Sequence, residues 1–85
     1  MTERSKVYQA IDSERDYQDV KWPGHKHEVG AYITMLDVYV ANAKESWIEN
    51  RGDYAALEEI RKVAALAVAC MEQHSAPIRY YAAPI

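Results

Sequence analysis

The chain has 85 residues, a formal net charge of -3 and an isoelectric point near 5.5. This length predicts one domain, and the acidic balance argues against binding to duplex nucleic acid, which usually needs a clustered basic surface. With 49% apolar and 27% charged residues, the composition is typical of a folded protein rather than a disordered one. A small anionic ligand stays open, because a few local cations are enough to hold its phosphates.

The single cysteine, Cys70, lies in an unbroken apolar run over residues 63–71. No intrachain disulfide and no cysteine-rich metal cage is therefore expected, and the cytoplasm is the favoured location. No apolar stretch reaches the roughly 20 residues needed to span a bilayer, and the first residues are polar. Neither secretion nor a membrane is indicated.

A first helix is predicted over about residues 6–20, within an N-terminal segment of residues 1–26 that ends in a turn. Its apolar stripe is thin, so we expect it to rest as an arm on a larger body rather than to fold alone. Pro23 and Gly24 end the helix.

A second helix is predicted from His27 or Glu28 to about Glu49. Apolar residues recur along it at spacings of three and four, at Val29, Ile33, Leu36, Val40, Ala43 and Trp47. A flanking row, Tyr32, Met35 and Tyr39, widens the apolar face beyond what one partner helix covers. More than one neighbour is implied.

A turn at Asn50, Arg51 and Gly52, followed by a capping Asp53, predicts a third helix over about residues 54–74. One of its faces carries Leu57, Ile60, Ala64, Ala67 and Met71, and other apolar residues cover the remaining sides. A lone hairpin cannot bury so much apolar surface. The sequence therefore predicts an all-α protein, with a short N-terminal helix and an antiparallel two-helix hairpin over residues 27–74, assembled as a homo-oligomer. Residues 75–85, interrupted by Pro77 and Pro84, are predicted to form an extended tail.

No catalytic residue, metal ligand or cofactor is predicted. His25, His27 and His74 lack the spacing of a metal motif, and Lys26 places a cation between the first two. The apolar neighbours of Cys70 raise rather than lower a thiol pKa, so it is expected in the core.

An all-α, metal-dependent nucleotide pyrophosphohydrolase is one alternative function. Such an enzyme needs paired acids one turn apart on facing helices. Glu58 and Glu59 are adjacent and point apart, and among the acids weighed only Asp16 and Asp19 have a helical i,i+3 spacing. A solvated acidic face explains these residues better.

Residues 11–22 hold two aromatics, two cations and four acids immediately before the Pro-Gly turn. The aromatic rings of Tyr8, Tyr17 and Trp22 could stack on a base. Four cationic side chains could reach phosphate oxygens, namely those of Arg4, Arg15, Lys21 and Lys26. This pattern suits a nucleotide. The alternative is a purely structural helix, with intrahelical pairs such as Asp12–Arg15 and a buried Trp22.

The strings YQAIDSERDYQDVKW, HEVGAY and ALEEIRKVAALAVACMEQH resemble a family of short phage proteins, the anti-CBASS cyclic-oligonucleotide sponges. Their helical hairpin is also found in Thoeris anti-defence sponges. The resemblance covers most of residues 8–74 and leaves out the tail.

The resemblance implies a non-enzymatic protein that sequesters cyclic dinucleotides, such as cyclic GMP-AMP, and so blocks activation of a CBASS effector. Family members form hexamers with dinucleotide pockets between protomers and, in some, separate cyclic trinucleotide pockets. The implied location is the cytoplasm of an infected bacterium. A sponge for cyclic ADP-ribose signals stays open as an alternative, as does a module that only mediates protein interactions.

Carried over by resemblance, Tyr8 would stack a base, Lys21 would meet phosphate and Arg61 would line the trinucleotide site. Arg15 and Trp22 are added as ligand-binding residues from their chemistry alone. The short segment after Lys21 departs from the family, because Pro23 lies where a more flexible loop is expected.

Overall fold

The computed structural model describes residues 2–49 and 52–79, and in these ranges the chain forms three α-helices and no strand. They are α1 (Glu3–Lys21), α2 (Val29–Ile48) and α3 (Gly52–His74). The predicted all-α class is confirmed. α1 begins three residues before its predicted start because Thr2 caps it, with its hydroxyl accepting from the Ser5 backbone N–H at 3.1 Å.

α3 begins at Gly52, so Asp53 lies in its first turn and not ahead of the helix as predicted. Gly52 has a φ of +86°, the left-handed conformation expected of a glycine at this point. The helix ends at His74, as predicted. The predicted turn residues Asn50 and Arg51, and the tail residues 80–85, lie outside the described residues.

The core lies between α2 and α3, where Tyr32, Leu66 and Ala69 are buried together. The flanking row of α2, comprising Tyr32, Met35 and Tyr39, faces this core. The stripe that was predicted to be the main one is largely on the surface, since Val29, Ile33, Val40 and Trp47 are exposed and only Leu36 packs on the core. Both rows have helical spacing, so periodicity alone did not identify the one that packs inside the chain.

α1 packs against α3, as expected of an arm that rests on a larger body. Its two buried residues are charged rather than apolar, namely Glu14 and Arg15. Glu14 pairs with Arg61 of α3, and Arg15 pairs with Glu72 of α3. These ion pairs therefore hold α1 against α3, a role that a wider apolar stripe on α1 would otherwise have.

Much apolar surface remains uncovered. Within residues 2–49 and 52–79, sixteen large apolar side chains are exposed, whereas five apolar residues are buried. On α3 the exposed set includes Leu57, Ile60 and Met71, which all belong to one predicted face. None of the helices in the described ranges is long and apolar enough to cross a membrane.

Candidate functional site

A cavity of about 350 Å³ lies where the end of α1 and the loop over residues 22–28 meet α2 and α3. Met35 and Leu66 form part of its apolar lining. Five rings also line it, from Trp22, His25, His27, Tyr32 and Tyr39. Its size is within the range of about 300–1,000 Å³ that is usual for small-molecule sites.

The end of α3 holds the loop in place. The Gln73 side-chain amide donates to the His25 carbonyl oxygen at 3.0 Å, and its oxygen accepts from the His27 backbone N–H at 3.2 Å. The His74 Nε2 atom lies 2.7 Å from the His27 carbonyl oxygen. No local sequence pattern marks Gln73 for this role, because the contact joins residues almost 50 positions apart.

The three histidines gather around Tyr32. The ring centroids of His25, His27 and His74 lie 6.2, 5.4 and 6.3 Å from that of Tyr32. The Nε2 atoms of His25 and His27 face each other in a hydrogen bond. Such a bond needs one ring nitrogen to donate and the other to accept, so it forms only while at least one of the two imidazoles is neutral.

Burial lowers the pKa of His25 below its ordinary value, and the neighbouring His27 and Arg15 add to this effect. The unfolded chain therefore takes up the proton first as the pH falls. The folded chain thus favours the neutral form of His25, which raises the free energy of unfolding. This contribution is fully present above a pH of about 6.5, the ordinary histidine pKa, and is lost as the pH falls toward the lower pKa of His25 in the folded chain.

We expect the thermal midpoint of the protein to fall more steeply between pH 7.5 and pH 5 than that of a His25→Gln variant. Glutamine is neutral and keeps polar atoms in the loop, so it removes the titration with little change in polarity. Calorimetric scans across this pH range measure the difference. Parallel curves for the two proteins would contradict a lowered pKa at His25.

Across the described part of the chain, no group of three or more His, Cys, Asp or Glu side chains is arranged to hold a metal ion. Acidic side chains instead pair with cations. Glu59 binds Lys62 at 3.1 Å, and Asp19 binds Arg15 at 3.0 Å.

Arg15, a predicted ligand residue, lines the cavity but donates to three side chains of its own chain. Its Nε and one terminal nitrogen contact the two carboxylate oxygens of Glu72 at 2.6 and 3.1 Å, and bonds to Gln18 and Asp19 complete the set. The hydrogen bond to Glu72 raises the pKa of Arg15, against the opposing effect of burial. This geometry joins α1 to α3. A purely structural role for this helix predicted an intrahelical ion pair between Asp12 and Arg15. Arg15 does form an intrahelical pair, but its partner is Asp19.

Arg61, the residue predicted for a trinucleotide site, lies on α3 and donates from Nε to Glu14 at 2.8 Å. This hydrogen bond raises the pKa of Arg61. Tyr8 is exposed on α1 and lines a shallow groove with Ile11, Val68 and Arg15, so Arg15 borders both this groove and the main cavity.

Lys21 and Trp22 lie together at the end of α1. The Lys21 ammonium is 4.8 Å from the centroid of Trp22 and 5.7 Å from that of Tyr17. Trp22 is 41% exposed, so it is not the buried tryptophan of the structural alternative. Trp22 lines both the main cavity and a neighbouring groove shared with Lys21.

The structure brings some of the predicted ligand residues together, but not all five at one site. Lys21 and Trp22 are adjacent, and Arg15 lies with Trp22 in the lining of the main cavity. Tyr8 shares its groove with Arg15 but not with Lys21 or Trp22, and Arg61 lines neither that groove nor the main cavity. No protein-family model matches the chain, and neither the curated proteins nor the solved structures contain a significant match.

Proposed function

We propose that this chain binds and sequesters cyclic oligonucleotide signals without cleaving them, and thereby blocks activation of a CBASS effector. The ligands are cyclic dinucleotides, such as cyclic GMP-AMP, with cyclic trinucleotides at a second site that includes Arg61. The proposal rests on the resemblance of the three strings and on one structural observation, the exposed group of Lys21, Trp22 and Tyr17.

This group combines the two chemistries that a nucleotide needs. The rings of Trp22 and Tyr17 offer faces on which a base can stack, which contributes on the order of 1–3 kcal/mol per base. The Lys21 ammonium lies beside both rings and can reach a phosphate oxygen. Because Trp22 and Tyr17 are both exposed, a ligand can approach without unfolding the helix.

Tyr8 and Lys21 are 13 positions apart on α1, which separates them by about 20 Å along the helix axis. A compact dinucleotide cannot bridge that span on one chain. Both residues can contact one ligand if they come from different protomers. The separation therefore supports pockets between chains, as in the family that the sequence resembles.

The proposal includes a homo-oligomer, a hexamer by resemblance, built from antiparallel hairpins. Contacts at both ends support the hairpin: Gln73 near the end of α3 reaches the loop before α2, and Trp47 near the end of α2 shares an apolar groove with Ala56 near the start of α3. The exposed face of Leu57, Ile60 and Met71 supports assembly, because association would remove it from water.

Titration calorimetry tests the function with a panel of cyclic dinucleotides, cyclic trinucleotides and cyclic ADP-ribose isomers, followed by chromatography of the released ligand. Tight binding of a cyclic dinucleotide that is recovered intact would support the proposal. Preference for cyclic ADP-ribose would identify a Thoeris sponge instead, and a linearised product would identify a hydrolase. If the protein binds no ligand of this panel, a module that only mediates protein interactions becomes the favoured function.

Substitutions at Lys21 test its proposed contact with phosphate. Lys21→Met keeps the aliphatic chain over Trp22 but removes the charge, and we expect it to weaken dinucleotide binding by roughly 10- to 100-fold, the equivalent of one charge-assisted hydrogen bond. Lys21→Arg keeps the charge and should retain most of the affinity. Equal affinities of the Lys21→Met and Lys21→Arg variants in the same calorimetric titration would show that the charge of Lys21 does not contact the ligand.

A further inference from the structure

His25 and His27 bring two ring nitrogens toward the same point. Their Nε2 atoms face each other, and the two rings are steeply inclined, with centroids 3.8 Å apart and an angle of 75° between the planes. Both side chains are only partly buried, so solutes in water can reach them. Neutral imidazole nitrogens are the commonest protein ligands for transition metals. Two that converge on one short loop form a chelating pair.

The end of α3 fixes both histidines from outside the loop. The Gln73 side chain bonds to the His25 carbonyl oxygen and to the His27 backbone N–H, and the His74 ring contacts the His27 carbonyl oxygen. The Tyr32 ring meets both imidazoles edge to face. The fold therefore holds the pair in place before any ligand binds, which lowers the ordering cost of binding.

The charges near the pair admit a cation. Lys26 separates the two histidines in sequence, but it is exposed and does not line the cavity that they line. Arg15, the cationic side chain in that lining, binds the carboxylates of Asp19 and Glu72, which offset its charge. Contrary to the expectation from the sequence, Lys26 therefore does not keep a metal ion from the pair.

We propose that His25 and His27 chelate one divalent transition-metal cation, of the class of Cu²⁺, Zn²⁺ and Ni²⁺, through their Nε2 atoms. The cation replaces the proton that the two nitrogens share in their hydrogen bond, and the imidazole that donated this proton carries one on Nδ1 instead. With bonds of about 2.0–2.1 Å, a metal ion holds two nitrogens roughly 3 Å apart, a spacing that small rotations of these side chains provide.

Residues 2–49 and 52–79 place no third His, Cys, Asp or Glu ligand beside the pair, so water completes the coordination. The affinity is therefore micromolar, weaker than that of a structural zinc site with four protein ligands. The site goes beyond the proposed sequestration of cyclic oligonucleotides and does not depend on it, because no nucleotide takes part.

Titration calorimetry with the chlorides of copper(II), zinc, nickel(II) and magnesium tests the site on the chain prepared without a polyhistidine tag. We expect Cu²⁺ to bind most tightly, following the usual order of divalent metals, and Mg²⁺, which prefers oxygen ligands, not to bind. His25→Gln and His27→Gln should each weaken Cu²⁺ binding by roughly 100-fold, because even a residue that only supports a metal ligand contributes about 10- to 100-fold. Electron paramagnetic resonance of the Cu²⁺ complex should show coupling to two imidazole nitrogens in the original chain and to one in either variant.

His74→Gln is the matched control, because it removes the third histidine and keeps an amide that can donate to the His27 carbonyl oxygen. This variant should bind Cu²⁺ as tightly as the original chain. The proposal is overturned if the original chain binds Cu²⁺ no more tightly than the His25→Gln and His27→Gln variants, or if both of these variants keep the two-nitrogen signal. Neither result bears on nucleotide binding, which the separate titration with cyclic nucleotides measures.

Discussion

Arg15→Ala should lower the free energy of unfolding by about 2 kcal/mol, because it removes the hydrogen bonds that join α1 to α3. Arg15 is buried, and its guanidinium makes two bonds to Glu72 of α3 in addition to its bonds to Gln18 and Asp19 within α1. Glu72 is about half exposed, so solvent screening keeps the effect below that of a fully buried ion pair. Small domains have little stability to lose, so even this loss should produce a clear shift.

Urea unfolding followed by far-ultraviolet circular dichroism measures this effect. Arg4→Ala is the matched control, because Arg4 is an exposed arginine on the same helix and its removal should change stability by less than about 0.5 kcal/mol. Similar unfolding curves for Arg15→Ala and Arg4→Ala would show that α1 is held by other contacts. If Arg15 also contacts ligand, its loss would lower affinity in addition.

Ile60→Glu should break the proposed oligomer. Ile60 is exposed and lies on the same face of α3 as Leu57 and Met71, so the single chain tolerates a charge there. In an assembly that covers this face, the new carboxylate would be buried without a partner, and such burial costs several kcal/mol. We expect light scattering to show the mass of a smaller species at micromolar concentration.

Ile60→Val is the control for this experiment, because it keeps an apolar side chain of the same branching and should keep the original mass. Ala64→Arg tests the same face with the opposite charge and a longer side chain. Unchanged masses for both charged variants would contradict an interface on this face. Circular dichroism of each variant distinguishes dissociation from unfolding.

Most helix ends were predicted closely because their signals are local, but the start of α1 was not. Gly52 and the Pro23-Gly24 pair act on the residues next to them, so the chain order alone displays their effect. Thr2, which caps the start of α1, was not predicted as a capping residue. The outcome at the first helix shows the limit of this reasoning. The thin apolar stripe predicted an arm resting on a larger body, but the stripe could not show that Glu14 and Arg15 are the residues that hold it.

The candidate site was predicted only in part. Trp22 and Lys21 were predicted from a dense local mixture of rings and charges, and the structure places them side by side. The cavity beside them was not predicted, since it depends on Gln73 and Tyr32, which come from two other helices. Nothing in the local sequence marks either residue as part of a site.

The sequence by itself determined the all-α class, the approximate helix bounds and the excess of apolar surface, because each follows from composition or from spacing along a few turns. Only the tertiary structure decided which row of α2 is buried, where Arg15 finds its partner 57 positions away, and that the Tyr32 hydroxyl is enclosed. These features depend on how the helices pack against one another. Two rows with the same periodicity look alike until a neighbouring helix covers one of them.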